Sequence, residues 1–154
     1  MTPDMLETLL SLGTMAASAF LAATILPFPS EATFAGLLQR GQVSPVFLLM
    51  VATIFNTLGS MVNWWVGKVI ADGGIDRLPQ RLRPESATLE RGEALFARFG
   101  WLALLFSWVP GIGDLGTIAA GLLRYPLARF AVLVGIGKFV RYAAIWAGWI
   151  AVAG

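Results

Sequence analysis

Leu26-Pro27-Phe28-Pro29-Ser30-Glu31 places two prolines and an acidic residue inside a long apolar stretch of the chain. A straight membrane-spanning helix is not expected to contain these residues, because proline breaks the backbone hydrogen-bond pattern and a charge at the bilayer centre costs roughly 2.5 kcal/mol or more. Trp108-Val109-Pro110-Gly111-Ile112-Gly113-Asp114 repeats the arrangement, again with a proline four residues before an acid. We expect these two interruptions to be the functional part of the protein.

The composition is that of a membrane protein. The 154 residues are 57% hydrophobic and 13% charged, against roughly 25% charged in an ordinary soluble domain. Cys and His are both absent, so we expect no disulfide, no metal site, no cofactor and no enzymatic activity. A net charge of +2 is too small to indicate a nucleic-acid partner. The expected partners are membrane lipids, with protons as a second candidate, and the sequence leaves a homo-oligomer open.

The first apolar tract, residues 5–40, is too long for one membrane span and too short for two. A re-entrant hairpin resolves this mismatch, since one helix enters the membrane, the chain turns at Pro27, Pro29 and Ser30, and a short helix returns. The alternative is a single proline-kinked span of about 24 residues that ends in a loop near Gly36.

An ordinary membrane-spanning helix is predicted over residues 45–68, with Pro45 in its first turn. Asn56, Ser60 and Asn63 recur at helical spacing on one face of it. Because these side chains are small or carry amides, that face is expected to contact protein and not lipid. Helix packing and direct contact with a substrate are both explanations for it.

Residues 69–99 form the only markedly polar stretch of the sequence. They predict a helix that begins near Ser86 and ends at Gly100. Its apolar residues follow one face: Leu89, Phe96 and Phe99. Such a helix either rests on the membrane surface or docks on the protein itself, and the pattern is the same in both cases.

The second half of the chain repeats the first. Residues 100–124 predict a second hairpin, with Pro110, Gly111 and Gly113 at its tip, and residues 126–152 predict a final membrane-spanning helix. The matched positions are Pro27 with Pro110, Glu31 with Asp114, Gly36 with Gly121, Pro45 with Pro126, and Gly67 with Gly148.

These matches predict one membrane domain, residues 1–154, that contains two repeats. The repeats are residues 1–68 and 100–154, and the polar stretch joins them. If each hairpin returns to its own side and each long helix crosses the membrane, the hairpins enter from opposite faces. That arrangement is an inverted-topology repeat, which many transporters use to form a site near the bilayer midplane.

Four charged residues are the candidate pathway for a substrate or a proton. Glu31 and Asp114 occupy matched positions of the two repeats, and Lys138 and Arg141 share a face of the final helix near its middle. Two plainer explanations remain open. Each acid could cap the start of its returning helix, and the cations could form a static ion pair that fixes the last helix to a hairpin.

Three motifs resemble a known family: Leu26-Pro-Phe-Pro-Ser-Glu31, Asn56-x2-Gly59-x4-Trp64-x2-Gly67-Lys68 and Trp108-x-Pro110-Gly111-x2-Asp114-x6-Gly121. Their order resembles the DedA family, also called the SNARE-associated or VTT-domain family, and especially its short YqaA-like branch. The resemblance covers about residues 18–150. It implies a bacterial inner-membrane protein with two facing re-entrant hairpins, related to lipid scramblases and to carriers of undecaprenyl phosphate or phosphatidylethanolamine.

The sequence also departs from that family's pattern. The better-studied members usually carry arginines three residues before and three after the proline of the second hairpin, where this chain has Ser107 and Gly113. They also tend to have an acid ahead of the first prolines and an aspartate at the position of Ser60. Those arginines would bind a lipid phosphate, so Lys138 and Arg141 are the candidates to replace their charge.

Together these patterns predict an all-α polytopic membrane protein that flips or scrambles a lipid or lipid-linked amphipath through facing hairpins. A proton- or cation-coupled exporter of small solutes is one alternative, and a non-transporting assembly or scaffold protein of the membrane is another. We expect a multi-pass protein of the bacterial inner membrane. Lysine and arginine are concentrated in the polar stretch, residues 69–99, which the positive-inside rule places in the cytoplasm.

Overall fold

The structure is a computed structural model that describes residues 3–24, 29–109 and 112–153. Pro27, Pro110 and Gly111, which we predict at the hairpin tips, lie outside these ranges. Regular structure within them is entirely helical, which confirms the predicted all-α class. The α-helices are α1 (Pro3–Ala23), α2 (Ser30–Arg40), α3 (Pro45–Ala71), α4 (Ser86–Phe99), α5 (Leu102–Leu105), α6 (Ile112–Leu122) and α7 (Leu127–Ala153).

Three of the described helices are long and apolar enough to cross a membrane. The apolar spans within α1, α3 and α7 are Asp4–Ala23, Pro45–Ala71 and Leu127–Val152. α3 and α7 are the two long helices predicted from the sequence, and each has 27 residues. Proline opens both of them, because Pro45 is the first residue of α3 and the carbonyl of Pro126 accepts the backbone N–H of Phe130 at 2.9 Å.

α2 runs back along α1 in the antiparallel sense. Near the end of α1, the Ser18 hydroxyl donates to Thr33 Oγ1 of early α2 at 2.9 Å. Earlier in α1, the Ser11 hydroxyl donates to Oε1 of Gln42, just beyond the end of α2, at 3.2 Å. The first two helices therefore form a helical hairpin, whose placement in the membrane remains a prediction.

The second arm of this hairpin is a complete helix. α2 continues through Gly36 to Arg40, and Gly41 ends it with φ +64° and a backbone N–H bonded to the carbonyl of Leu38. This observation excludes the alternative of one kinked span followed by a loop near Gly36. With 11 residues, α2 is about 16 Å long and cannot cross a bilayer alone.

The chain divides into two compact units, which differ from the two sequence repeats. The first unit contains Met1–Gly59 and Lys138–Gly154, and the second contains Ser60–Gly137. Each unit therefore contains one half of α3 and one half of α7. The predicted inverted repeat is a pattern of sequence and helix order, and it remains a prediction.

The core of the first unit draws on four helices. Met15 of α1, Phe34 of α2, Leu48 of α3 and Tyr142 of α7 are all completely buried. The rings of Phe34 and Tyr142 pack at a centroid distance of 5.2 Å. An aromatic pair of this kind adds about 0.5–1.5 kcal/mol beyond the area that it buries, so α2 is held to α7 as well as to α1.

In the second unit, α3 and α6 approach each other at two glycines. A Cβ added to Gly67 would overlap the carbonyl oxygen of Ile118, and a Cβ added to Gly121 would overlap the carbonyl oxygen of Trp64. Glycines at a helix crossing let backbones pack directly, which is a common way to join helices in membranes. Next to this crossing, the indole N–H of Trp64 donates to the carbonyl of Tyr125 at 2.9 Å.

α4 has the bounds predicted from the sequence and docks on the protein. It packs against α6, where a Cβ at Gly92 would lie 2.8 Å from the carbonyl oxygen of Leu115. The Phe96 ring meets the Tyr125 ring edge-on at 5.7 Å. Phe99, which we placed on the same apolar face, is exposed. The packing explains why a glycine occurs in the middle of this helix.

The second hairpin is shorter than the first. α5 has only four residues and packs against α6. Gly100 ends α4 and Pro110 follows ten residues later, so at most nine residues are available for the first arm between these two helix breakers. The two hairpins therefore share their returning arm, 11 residues in both α2 and α6, but not their first arm.

The glycine crossing predicts that Gly121→Ala will destabilise the protein by about 1–3 kcal/mol, because α3 and α6 would have to move apart. Thermal unfolding of the purified protein in detergent, followed by circular dichroism, measures this loss. Gly36 and Gly148 are the matched controls, because each is the repeat partner of a crossing glycine and has open space around its Cα. Equal stability of Gly121→Ala and Gly148→Ala would contradict the crossing.

Candidate functional site

The first unit contains a polar cluster at the start of α2. Ser30 and Glu31 are the first two residues of α2, and Arg141 and Tyr142 are consecutive residues of α7. The 26-residue span Leu127–Val152 has its centre near residue 140, so the cluster is close to mid-span. Asn56 lies close to the middle of the α3 span in the same way.

Glu31 forms an ion pair with Arg141. An Nη2 of the guanidinium contacts Oε1 of the carboxylate, and the two side chains are 21% and 35% exposed, respectively. The pair is thus reachable from outside the fold and not sealed in it. Among the described residues, no hydrogen bond joins the Glu31 carboxylate to a backbone N–H at the start of α2. The capping explanation for Glu31 therefore lacks its hydrogen bond.

A chain of hydroxyl groups leads to this ion pair. The Tyr142 hydroxyl donates to Ser30 Oγ at 2.9 Å, and the Ser30 hydroxyl makes a long contact of 3.5 Å with Glu31 Oε1. Ser30 and Tyr142 are completely buried. Each hydroxyl accepts from one neighbour and donates to the next, so their protons point in one direction, towards the carboxylate.

Asn56 begins the chain. Its side-chain Nδ2 donates to the Tyr142 hydroxyl at 3.1 Å and to the carbonyl oxygen of Ala19 at 2.9 Å. Asn56 is buried, as we predicted for the polar face of α3. One amide thereby fixes α1, α3 and α7 to each other, and through Tyr142 it fixes the start of α2. Here the packing explanation for this face is supported by its contacts.

The remaining residues of that face belong to the second unit. Ser60 and Asn63 are both completely buried, and Asn63 Nδ2 donates to Oγ1 of the buried Thr117 at 3.3 Å. All three residues of the face are therefore buried in the protein. Thr117 lies on α6, so this amide also joins two helices.

The polar cluster at Glu31 does not account for every predicted site residue. The side chain of Asp114 lies outside the described residues, as do Pro27, Pro110 and Gly111. Lys138 is buried in α7, and Pro29 is exposed immediately before α2. The predicted pairing of the two repeat-related acids, and a pathway that includes Asp114 and Lys138, therefore remain predictions.

Comparisons with known proteins decide the family. The sequence matches the VTT domain over residues 26–149. The inner membrane protein YqaA of Escherichia coli (strain K12) is 34% identical over 136 residues, which cover 88% of this chain and 89% of YqaA. The chain belongs to the VTT-domain (DedA) family. No solved structure matches it.

Two further relatives of this VTT-domain protein are an uncharacterized protein and a protein named as a transporter. An uncharacterized protein of Haemophilus influenzae is 35% identical over 142 residues, which cover 88% of this chain and 85% of that protein. Undecaprenyl phosphate transporter A of Staphylococcus aureus is 30% identical over 125 residues, which cover 75% of this chain and 62% of the transporter. The relatives thus include an inner membrane protein and a transporter by name.

In this VTT-domain protein the backbone leaves no room for a side chain at Gly113. Ser107 and Gly113 stand in the places of the family's two arginines and contact each other, since a Cβ at Gly113 would overlap the carbonyl oxygen of Ser107. Both residues are buried. Gly113 is therefore required by a close backbone approach, and an arginine at that position would collide with the backbone of Ser107.

Sequence reasoning did not find Tyr142. The only signal was its position, because a tyrosine in the middle of a span is unusual, while tyrosines at the membrane interface are common. Its partners lie 86 and 112 residues away, at Asn56 and Ser30. No local pattern connects such distant residues.

Tyr142→Phe is expected to destabilise this VTT-domain protein by about 1 kcal/mol, because Asn56 and Ser30 each lose a partner inside the fold. Thermal unfolding in detergent measures the loss. Tyr125→Phe is the matched control, since no hydrogen bond to the Tyr125 hydroxyl is found among the described residues and its ring contact with Phe96 would remain. If both variants unfold at the wild-type temperature, the hydroxyl chain contributes nothing to the fold.

Proposed function

We propose that this VTT-domain protein moves a lipid or lipid-linked amphipath across the bacterial inner membrane. The observation that carries this proposal is the ion pair between Glu31 and Arg141, near the middle of a candidate span and partly exposed. Ionisable residues at this depth are costly, and they usually mark the path of a substrate, an ion or a proton. A purely structural ion pair would not need to remain reachable.

The similarity to a named transporter supports the class of cargo. Undecaprenyl phosphate transporter A is named for a lipid that carries a phosphate group. In this chain the substrate is proposed to be an amphipath with a charged headgroup, which passes the start of α2 while its apolar tail stays in the bilayer. Arg141 would contact a phosphate, because a guanidinium binds phosphate oxygens with two parallel hydrogen bonds.

The ion pair also suggests how binding is controlled. Arg141 is engaged by Glu31 in this structure, so an anionic headgroup must compete with the carboxylate. A proton on Glu31 would remove that competition and release Arg141 for the substrate. Asp114 and Lys138 are proposed to act in the same pathway, from matched and neighbouring positions. The polar stretch, residues 69–99, is proposed to lie in the cytoplasm.

The test is lipid flipping in liposomes by the double variant Glu31→Gln with Arg141→Gln. Each single variant leaves one charge unpaired and is expected to unfold more easily. The double variant removes both charges, so it is expected to fold like the parent but to move labelled phospholipid at least about tenfold more slowly. A role in packing alone predicts the opposite, a folded double variant with normal flipping.

The matched control is the exposed ion pair between Arg124 and Asp72, at 2.7 Å in the second unit. Arg124→Gln with Asp72→Asn removes the same two charges and is expected to flip lipid at the parental rate. Two results would overturn the proposal. In the first, the parent dissipates a pH gradient but moves no lipid, which indicates an exporter of small solutes. In the second, the parent neither dissipates a pH gradient nor moves lipid, and it co-purifies with a stoichiometric partner, which indicates a scaffold.

A further inference from the structure

A second feature, in the other unit, is a groove beside the first turns of α7. It has a volume of about 440 Å³ and is lined by Trp101, Tyr125, Ala128, Arg129, Val132 and Leu133. Five of these six side chains are apolar or aromatic. The proposed path at Glu31 and Arg141 uses none of them. The groove therefore needs an explanation of its own.

One wall of the groove is held rigidly. The Tyr125 ring packs against Phe96, its backbone carbonyl accepts the indole N–H of Trp64, and its backbone N–H donates to the carbonyl of Ala120 at 2.8 Å. Trp101, which also lines the groove, is 52% exposed. The groove is thus preformed and open, which lowers the cost of ordering it around a ligand.

The position of the groove along α7 predicts that it lies at the depth where a lipid headgroup meets its tails. The candidate span of α7 begins at Leu127, so Arg129 is in its first turn. Trp149 follows 20 residues later, which corresponds to about 30 Å along the helix and matches the thickness of a bilayer core. Trp101 and Tyr125 are also of the residue types that concentrate at the membrane interface.

Arg129 supplies an available charge at this depth. The ion pairs among the described residues join Arg83 with Asp76, Arg124 with Asp72, and Arg141 with Glu31. Arg129 takes part in none of them, and its side chain is exposed. A cation at the edge of an apolar groove complements an amphipath with a negative head and a hydrocarbon tail.

We infer that this groove binds an anionic phospholipid, with one acyl chain against Val132 and Leu133 and the phosphate on Arg129. The inference goes beyond the proposed function, because it concerns a resident lipid of the second unit and does not require translocation. Interfacial arginines typically increase the affinity for anionic lipid about fivefold each.

Native mass spectrometry of the full chain, with palmitoyl-oleoyl phosphatidylglycerol and the corresponding phosphatidylcholine as probes, tests the inference. The parent is expected to bind phosphatidylglycerol more tightly. Arg129→Gln should weaken phosphatidylglycerol binding about fivefold and weaken phosphatidylcholine binding less, because the choline ammonium already neutralises the phosphate of that lipid. Ala128→Phe, which fills the groove, should weaken both. The double variant Glu31→Gln with Arg141→Gln, which is expected to fold like the parent, should retain the preference for phosphatidylglycerol, so the failure of this inference and that of the proposed function are distinguishable.

Matched controls make the result specific. Arg91→Gln removes an equally exposed arginine from α4, and Ala147→Phe adds the same ring to an exposed position elsewhere on α7; both should bind like the parent. The inference is overturned if the parent binds the two lipids equally, if Arg91→Gln matches Arg129→Gln, or if Ala128→Phe disrupts a dimer without changing lipid binding. Arg129 is exposed, so its variant carries the test even if Ala128→Phe does not fold.

Discussion

The charge of Arg141 is the constraint on which the first unit depends. A guanidinium near the middle of a span needs a partner, because hydrocarbon offers it neither counter-charge nor hydrogen bonds. The partner, Glu31, lies on α2, and α2 reaches it only because the chain reverses after α1 and returns along it. The helical hairpin thus supplies the partner that the mid-span cation needs. An apolar residue at position 141 would remove the electrostatic reason for the hairpin to end where it does.

The hydroxyl chain fixes the positions of the helices that carry that ion pair. Completely buried polar groups gain little net stability, since each hydrogen bond replaces one made to water, but an unmatched partner is costly. Asn56, Tyr142 and Ser30 therefore favour one arrangement of four helices over others of similar packing. This arrangement holds the carboxylate of Glu31 in place while leaving it partly exposed, which a function in transport requires and a packing role does not.

The sequence predicted the features that depend on neighbouring residues and missed those that depend on residues far away in the chain. Gly41, Pro45, Gly100 and Pro126 act on their own backbone, so the helix bounds around them were predicted closely. Burial of the polar face of α3 followed from helical spacing alone. The sequence left open whether α4 docks on the protein, and it did not predict the contact of Gly92 with α6, the contact of Gly67 with α6 or the role of Tyr142. Each depends on residues far away in the chain. The local sequence around a glycine or a tyrosine does not show whether such a distant partner exists.

The departure from the family's arginines restricts what the site can accept. Ser107 and Gly113 stand at those positions, and the close approach of Gly113 to the Ser107 backbone excludes a side chain at position 113. Arg141 is the phosphate ligand that we propose, but Glu31 already neutralises it. An anion that bound Arg141 would displace the Glu31 carboxylate. The carboxylate would then remain charged and unpaired where water solvates it poorly. Two ligands avoid this penalty. One is an anion accompanied by a proton for Glu31, and the other is a zwitterionic headgroup, whose ammonium group pairs with Glu31 while its phosphate pairs with Arg141.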